Sequence, residues 1–88
     1  MSNVENLTNT KFKVLSYLYD IKGKDNLVKV TQSEIVSEFG MSRGSVNNIF
    51  KNLKDKGYLV HDNSHIGRYY LTEEAIRAVE MFRKSDKK

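Results

Sequence analysis

The chain has no cysteine, which excludes disulfides and thiolate metal sites and fits a reducing, cytoplasmic setting. Its two histidines, His61 and His65, stand beside no second metal-ligand signature, so neither a metal nor any other cofactor is expected. No run of eighteen apolar residues occurs, so no membrane span is expected. The opening MSNVENLTNTK lacks the basic-then-apolar layout of an export signal. There is also no nucleophile paired with a base, no glycine-rich phosphate loop and no clustered carboxylate pair, so enzymatic chemistry is not expected. Internal repeats and low-complexity tracts are missing too.

What is present is an ordinary globular composition. Of 88 residues, 39% are hydrophobic and 30% charged, which suits one domain. A domain of this size buries a modest core and gains from pairing with a second copy. The net charge of +4 is unevenly placed. Residues 1–42 balance five lysines against five acidic residues, whereas residues 43–72 hold five basic residues against two acidic ones. Residues 73–82 are net acidic, and the RKSDKK ending, residues 83–88, is basic again. A basic middle of this kind suits a polyanion, although a small lysine excess also serves solubility alone.

Helix starts are marked four times. Thr8, Thr31, Ser42 and Thr72 each read as an N-cap, preceded by an apolar residue (Leu7, Val30, Met41, Leu71). Four positions beyond each stands another (Phe12, Ile35, Val46, Ile76), the pattern of a hydrophobic staple. Thr31 with Glu34 adds a capping box, and Gly40 and Gly57 read as helix stops. Residues 1–7 are expected to be loose, residues 8–84 to form the domain and residues 85–88 a basic tail. LVKV (27–30) is β-branched enough for a short strand. YLVHD (58–62) and RYYLT (68–72) flank the polar, glycine-containing NSHIG (63–67) and read as a hairpin, with Leu59, Tyr69 and Leu71 facing the core. The expected fold is therefore mostly α with a small β wing, an α+β arrangement ordered helix, strand, helix, helix, strand, strand, helix.

That order resembles the winged helix-turn-helix family, and in particular its compact MarR-like members. The stretch TQSEIVSEFGMSRGSVNNIFKNLKDKGYLV is similar to the family's helix-turn-helix and first wing strand, and GRYYLTEEAI to the returning strand and final helix. Ile35, Phe39, Met41, Val46 and Ile49 stand where the motif keeps apolar residues, and Gly40 stands at its turn. Val36 departs from it, where a small residue is usual. The resemblance covers about residues 10–83 and implies a double-stranded DNA-binding protein, most simply a dimeric transcriptional repressor.

On the helix after Ser42, Val46, Ile49, Phe50 and Leu53 recur at one face, which turns Gly44, Asn48 and Lys51 outward. Arg43, Asn47 and Asn48 are the candidates for reading bases, since Arg pairs with guanine and Asn with adenine in a bidentate manner. Gly44 would let the backbone approach closely. Lys51 and Lys54 suit phosphates, as do Ser42, Ser45, Gln32 and Ser33 near helix starts. In the hairpin, Asn63, Ser64, His65 and Arg68 are candidate contacts. The bland alternative for each is a solvated polar residue, and for Ser42 simple capping. On the last helix, Ile76, Val79, Met81 and Phe82 are candidates for a homodimer interface. Little room is expected for a small-molecule effector. A plasmid partition or replication role stays open, as does a winged helix that binds protein and not DNA.

Overall fold

The computed structural model describes residues 3–86, with side chains from residue 10 to residue 84. Its elements follow in the expected order: α1 (Asn3–Ile21), a short 3₁₀ turn (Lys24–Asn26), β1 (Leu27–Lys29), α2 (Gln32–Phe39), α3 (Arg43–Asp55), β2 (Leu59–His61), β3 (Arg68–Leu71) and α4 (Glu73–Asp86). The strands form one antiparallel sheet in the order β1-β3-β2. Among the described residues no helix is long and apolar enough to cross a membrane.

Local chemistry sets most of these boundaries. The Thr31 hydroxyl accepts from the Glu34 N–H at 3.2 Å, and Glu34 Oε1 accepts from the Thr31 N–H at 3.0 Å, so the capping box closes. Gly40 ends α2 at φ 63 and ψ 36, the left-handed conformation in which a side chain is strained. Two residues later the Ser42 hydroxyl accepts from the Ser45 N–H at 3.1 Å and opens α3. Thr72 caps α4 through the Ala75 N–H at 3.2 Å, and its own hydroxyl donates to the Gly57 carbonyl at 2.7 Å. The start of α4 is thereby fastened to the end of α3.

The expected start at Thr8 is corrected. α1 begins at Asn3, so Thr8 lies inside the helix and residues 3–7 belong to it. Val4, Glu5, Asn6 and Leu7 include no helix breaker, and extending a helix is easier than starting one. At the other end, α4 reaches Asp86, so only Lys87 and Lys88 of the expected tail lie outside the described residues.

One core unites all the elements. Val14, Leu15 and Leu18 from α1 meet Val28 and Val30 at β1 and Ile35 from α2. Val46, Ile49, Phe50 and Leu53 of α3 are all buried, which bears out the inner face assigned from periodicity. Leu59, Tyr69 and Leu71 line the inner side of the sheet. Phe50 meets Tyr69 edge-on at 5.2 Å between ring centroids, so α3 and the wing share one aromatic contact. On the outer side, Leu27, Tyr70 and Val60 fall in one row, and Lys29 stands opposite Arg68 in the next.

α4 packs back onto α1, which corrects one interface assignment. Val79 is fully buried within the chain, and so is not free to meet a second copy. Phe82 is half-buried and stacks on Phe12 at 5.5 Å. Arg83 donates to Ser16 Oγ at 2.9 Å, the Ser16 carbonyl at 3.1 Å and Asp20 Oδ1 at 2.7 Å, and its guanidinium lies 4.9 Å from the Tyr19 ring centroid. The apolar stripe of α4 is thus largely satisfied by α1.

Gly40 offers a direct test of how the turn before α3 is held. A Cβ there would meet nothing within 4 Å, so only the backbone conformation opposes a side chain. Gly40→Ala is expected to destabilise the protein by about 1–2 kcal/mol, the penalty for a left-handed residue, with a smaller loss for Gly40→Asn. Urea unfolding of the variants checks this; equal stability of Gly40→Ala and the parent would contradict it.

Candidate nucleic-acid interface

The outer side of α3 presents Gly44, Asn48 and Lys51 to solvent. The side chains of Asn48, Lys51 and Lys54 have no hydrogen-bonding or ion-pair partner among the described residues. Gly44 is a helical glycine with a conventional φ, and a Cβ added there would meet nothing within 4 Å. Internal packing does not require it, although glycine weakens a helix by roughly 0.5–1 kcal/mol relative to alanine. The face is therefore amide-bearing and basic, and nothing among the described residues pairs with its side chains.

The flank toward α2 is more ordered. Arg43 Nη2 donates to Ser33 Oγ at 2.9 Å, and Gln32 Nε2 donates to Asn47 Oδ1 at 3.4 Å. These bonds bring four of the sequence-expected residues together across the turn. Ser42 and Ser45 are committed to each other, with the Ser42 hydroxyl donating to Ser45 Oγ at 2.9 Å as well as capping the helix. On the opposite flank, Lys11 of α1 donates to Asn52 Oδ1 at 3.1 Å. Burial, and then the neighbouring Lys56 charge, pushes the Lys11 ammonium below the usual lysine range.

The hairpin tip joins the same surface. The Val30 N–H donates to the Gly67 carbonyl at 2.8 Å, and Val30 leads directly into the Thr31 cap. Gly67 has φ +79, and a Cβ there would stand 3.3 Å from the Val30 carbonyl oxygen. Glycine is what allows this approach. The tip thus rests on the start of α2, whose Gln32 and Ser33 bond α3. Three segments distant in sequence make one continuous surface.

Within the tip, the Asp62 N–H donates to the Arg68 carbonyl at 2.9 Å, and the His65 N–H donates to the Asp62 carbonyl at 3.2 Å. Asp62 Oδ1 accepts from the Ser64 N–H at 3.0 Å. That backbone bond, foremost, holds the Asp62 carboxyl below the usual carboxylate range. Desolvation opposes it, and the Ser64 side chain with the His65 and Arg68 charges reinforces it. His65 Nδ1 lies 3.9 Å from Asp62 Oδ2. The one acidic group of the tip is spent on organising its own loop, leaving Asn63, Ser64 and His65 exposed and Arg68 half-buried.

Two residues escaped the sequence reading. Lys29 stands opposite Arg68 across the β1–β3 pairing, and strand pairing of distant segments carries no local signal. Ile66 is 98% exposed at the tip; a lone isoleucine in a polar turn was visible but not singled out. Of the residues assigned to pairing, Met81 is 71% exposed, while Ile76 and Phe82 are half-buried. Ile76 also lines an open cleft of about 410 Å³ with Tyr19, Lys22, Asn26, Glu73 and Arg77.

A family model described as "MarR family" matches residues 5–68 of the chain, which takes in α2, α3 and the hairpin as far as Arg68. No curated protein and no solved structure matches it significantly.

The Asp62 bond has a pH signature. A carboxyl whose folded pKa is depressed contributes stability above its unfolded value of about 3.9 and loses it as pH falls through the folded value. The Ser64 amide signal in NMR is expected to titrate with a midpoint below that of a free aspartate. Asp62→Asn should abolish this titration and speed Ser64 amide exchange at neutral pH. A midpoint at or above the free value would contradict the assignment.

Proposed function

This chain belongs to the MarR family of winged-helix regulators, and on that premise we propose that it binds double-stranded DNA as a dimeric repressor, with α3 in the major groove and the hairpin over the flanking backbone or minor groove. The reading rests on one observation above the others: the exposed face of α3 carries Asn48, Lys51 and Lys54, whose side chains have no partner among the described residues. An asparagine free of internal bonds can meet adenine N6 and N7 together, and unpaired lysines suit phosphates. Arg43 and Asn47, steadied by Ser33 and Gln32, would read neighbouring bases. Arg43 would exchange its serine partner for guanine O6 and N7. Ser42 and Ser45 contribute through the helix start, and Ser64, Asn63, His65 and Arg68 through the wing. Gly44 leaves room for the helix to lie close.

A duplex titration at several salt concentrations tests this. Each phosphate neutralised steepens the fall of log affinity with log salt by about 0.9. Lys51→Ala should therefore weaken all sequences alike and reduce the slope by about 1, whereas Asn48→Ala should cost about 1–3 kcal/mol on the preferred sequence and leave the slope unchanged. Absence of salt-dependent binding would favour a winged helix that engages protein.

Pairing follows from the size of the reading head. One recognition helix contacts few base pairs, and two copies about 34–36 Å apart would read one face of the duplex. With Val79 consumed by the core, Met81 is the apolar residue that stands out on α4, and Ile76 and Phe82 border it with partial exposure. Met81→Glu is expected to shift the protein from dimer to monomer in sedimentation while leaving its helical circular dichroism unchanged. A parent protein that sediments as a monomer at DNA-binding concentrations would contradict the pairing.

A further inference from the structure

We propose that Ile66 is an apolar wedge that the wing presses between base pairs from the minor groove, so that the protein bends the DNA it binds; this rests on the DNA-binding reading above. A single exposed apolar side chain is ordinary on a protein surface. Ile66 differs in how it is held. It is 98% exposed, yet the turn carrying it is fastened on each side. Before it, the Asp62 carboxylate accepts from the Ser64 N–H and the Asp62 carbonyl from the His65 N–H. After it, the Gly67 carbonyl accepts from the Val30 N–H, and the Asp62 N–H donates to the Arg68 carbonyl. The side chain projects from an anchored turn. Its β-branch restricts χ1 further, so little freedom remains to be lost on insertion.

The chemistry around the tip selects the occupant. His65 and Arg68 flank Ile66 in sequence, and Lys29 stands opposite Arg68. The acidic group nearby, Asp62, is already engaged by Ser64. An apolar point beside the Arg68 and Lys29 cations matches a minor groove, whose walls are phosphate and whose stacked bases are apolar between their edges. Proteins that kink DNA insert isoleucine, leucine, phenylalanine or methionine there, with bends of roughly 20–90°. A protein partner would call for a broader apolar patch at the tip. Val60 and Tyr70, the other exposed apolar residues of the hairpin, instead lie in register on the outer face of the sheet. The tip also joins the α3 face through Val30 and Gln32, so an inserted Ile66 would act from the same surface that reads the major groove.

The test compares the full chain with Ile66→Ser and Ile66→Ala. The probe is a duplex rich in pyrimidine–purine steps, which unstack most easily, labelled at both ends for energy transfer and carrying 2-aminopurine at those steps. The parent should shorten the end-to-end distance and raise the 2-aminopurine fluorescence. Ile66→Ser should bind about tenfold more weakly, with the bend and fluorescence change lost, and the salt slope should stay the same because no charge is removed. Urea unfolding of both variants should match the parent, since Ile66 is 98% exposed. Salt-dependent binding with equal affinity and equal bend for parent and Ile66→Ser would overturn the wedge while leaving DNA binding intact. Loss of self-association in Ile66→Ser, with DNA binding and bend unchanged, would overturn it in favour of a protein contact. No salt-dependent binding by the parent would overturn the DNA reading and the wedge with it.

Discussion

Where β1 runs out, the Val30 N–H reaches the Gly67 carbonyl at 2.8 Å, and this meeting of two chain segments thirty-seven positions apart sets the geometry of the whole outer surface. It is possible because residue 67 takes φ +79 and carries no Cβ. The next residue after Val30 is the cap of α2, whose first turn bonds Arg43 and Asn47 of α3. The wing tip, the start of α2 and the start of α3 are thus linked by successive hydrogen bonds.

The second support is apolar. Val46, Ile49, Phe50 and Leu53 turn inward from α3, and Phe50 meets Tyr69 of β3 edge-on. Burial raises the Tyr69 phenol above the usual tyrosine range, as expected for a group whose ring belongs to the core. Thr72 adds a polar clasp by donating to Gly57. α3 is thus held along its inner side and at both ends, and its outer side is left without internal duties. That division leaves the side chains of Asn48, Lys51 and Lys54 available to an external partner, as the proposed reading requires.

Features set by near neighbours were legible from the sequence. The Thr31–Glu34 box, the Ser42 and Thr72 caps and the Gly40 stop depend on residues within one turn, and all formed. The inner face of α3 was legible because period 3.6 points four apolar residues one way. Thr8 carried the same cap-and-staple signal, yet α1 runs through it from Asn3; a local start signal does not stop a helix arriving from upstream. Val79 was misassigned for a different reason. An apolar stripe states that something covers it, not whether the cover is α1 of the same chain or a second copy, and here it is α1. The outward placement of Asn48, Lys51 and Lys54 was readable from the same period, but the links from Arg43 to Ser33 and from Gly67 to Val30 depend on tertiary approach, which no local pattern records.

The central claim is that the start of α2, the outer side of α3 and the wing tip act as one DNA-binding surface. Backbone amide shifts followed by NMR during titration with duplex DNA at low salt test it most directly. The account predicts perturbations concentrated at residues 32–33, 42–51 and 63–68, appearing together at the same DNA concentration and reversed by added salt. Perturbations confined to α1 and α4, or none at any of these three segments, would contradict it.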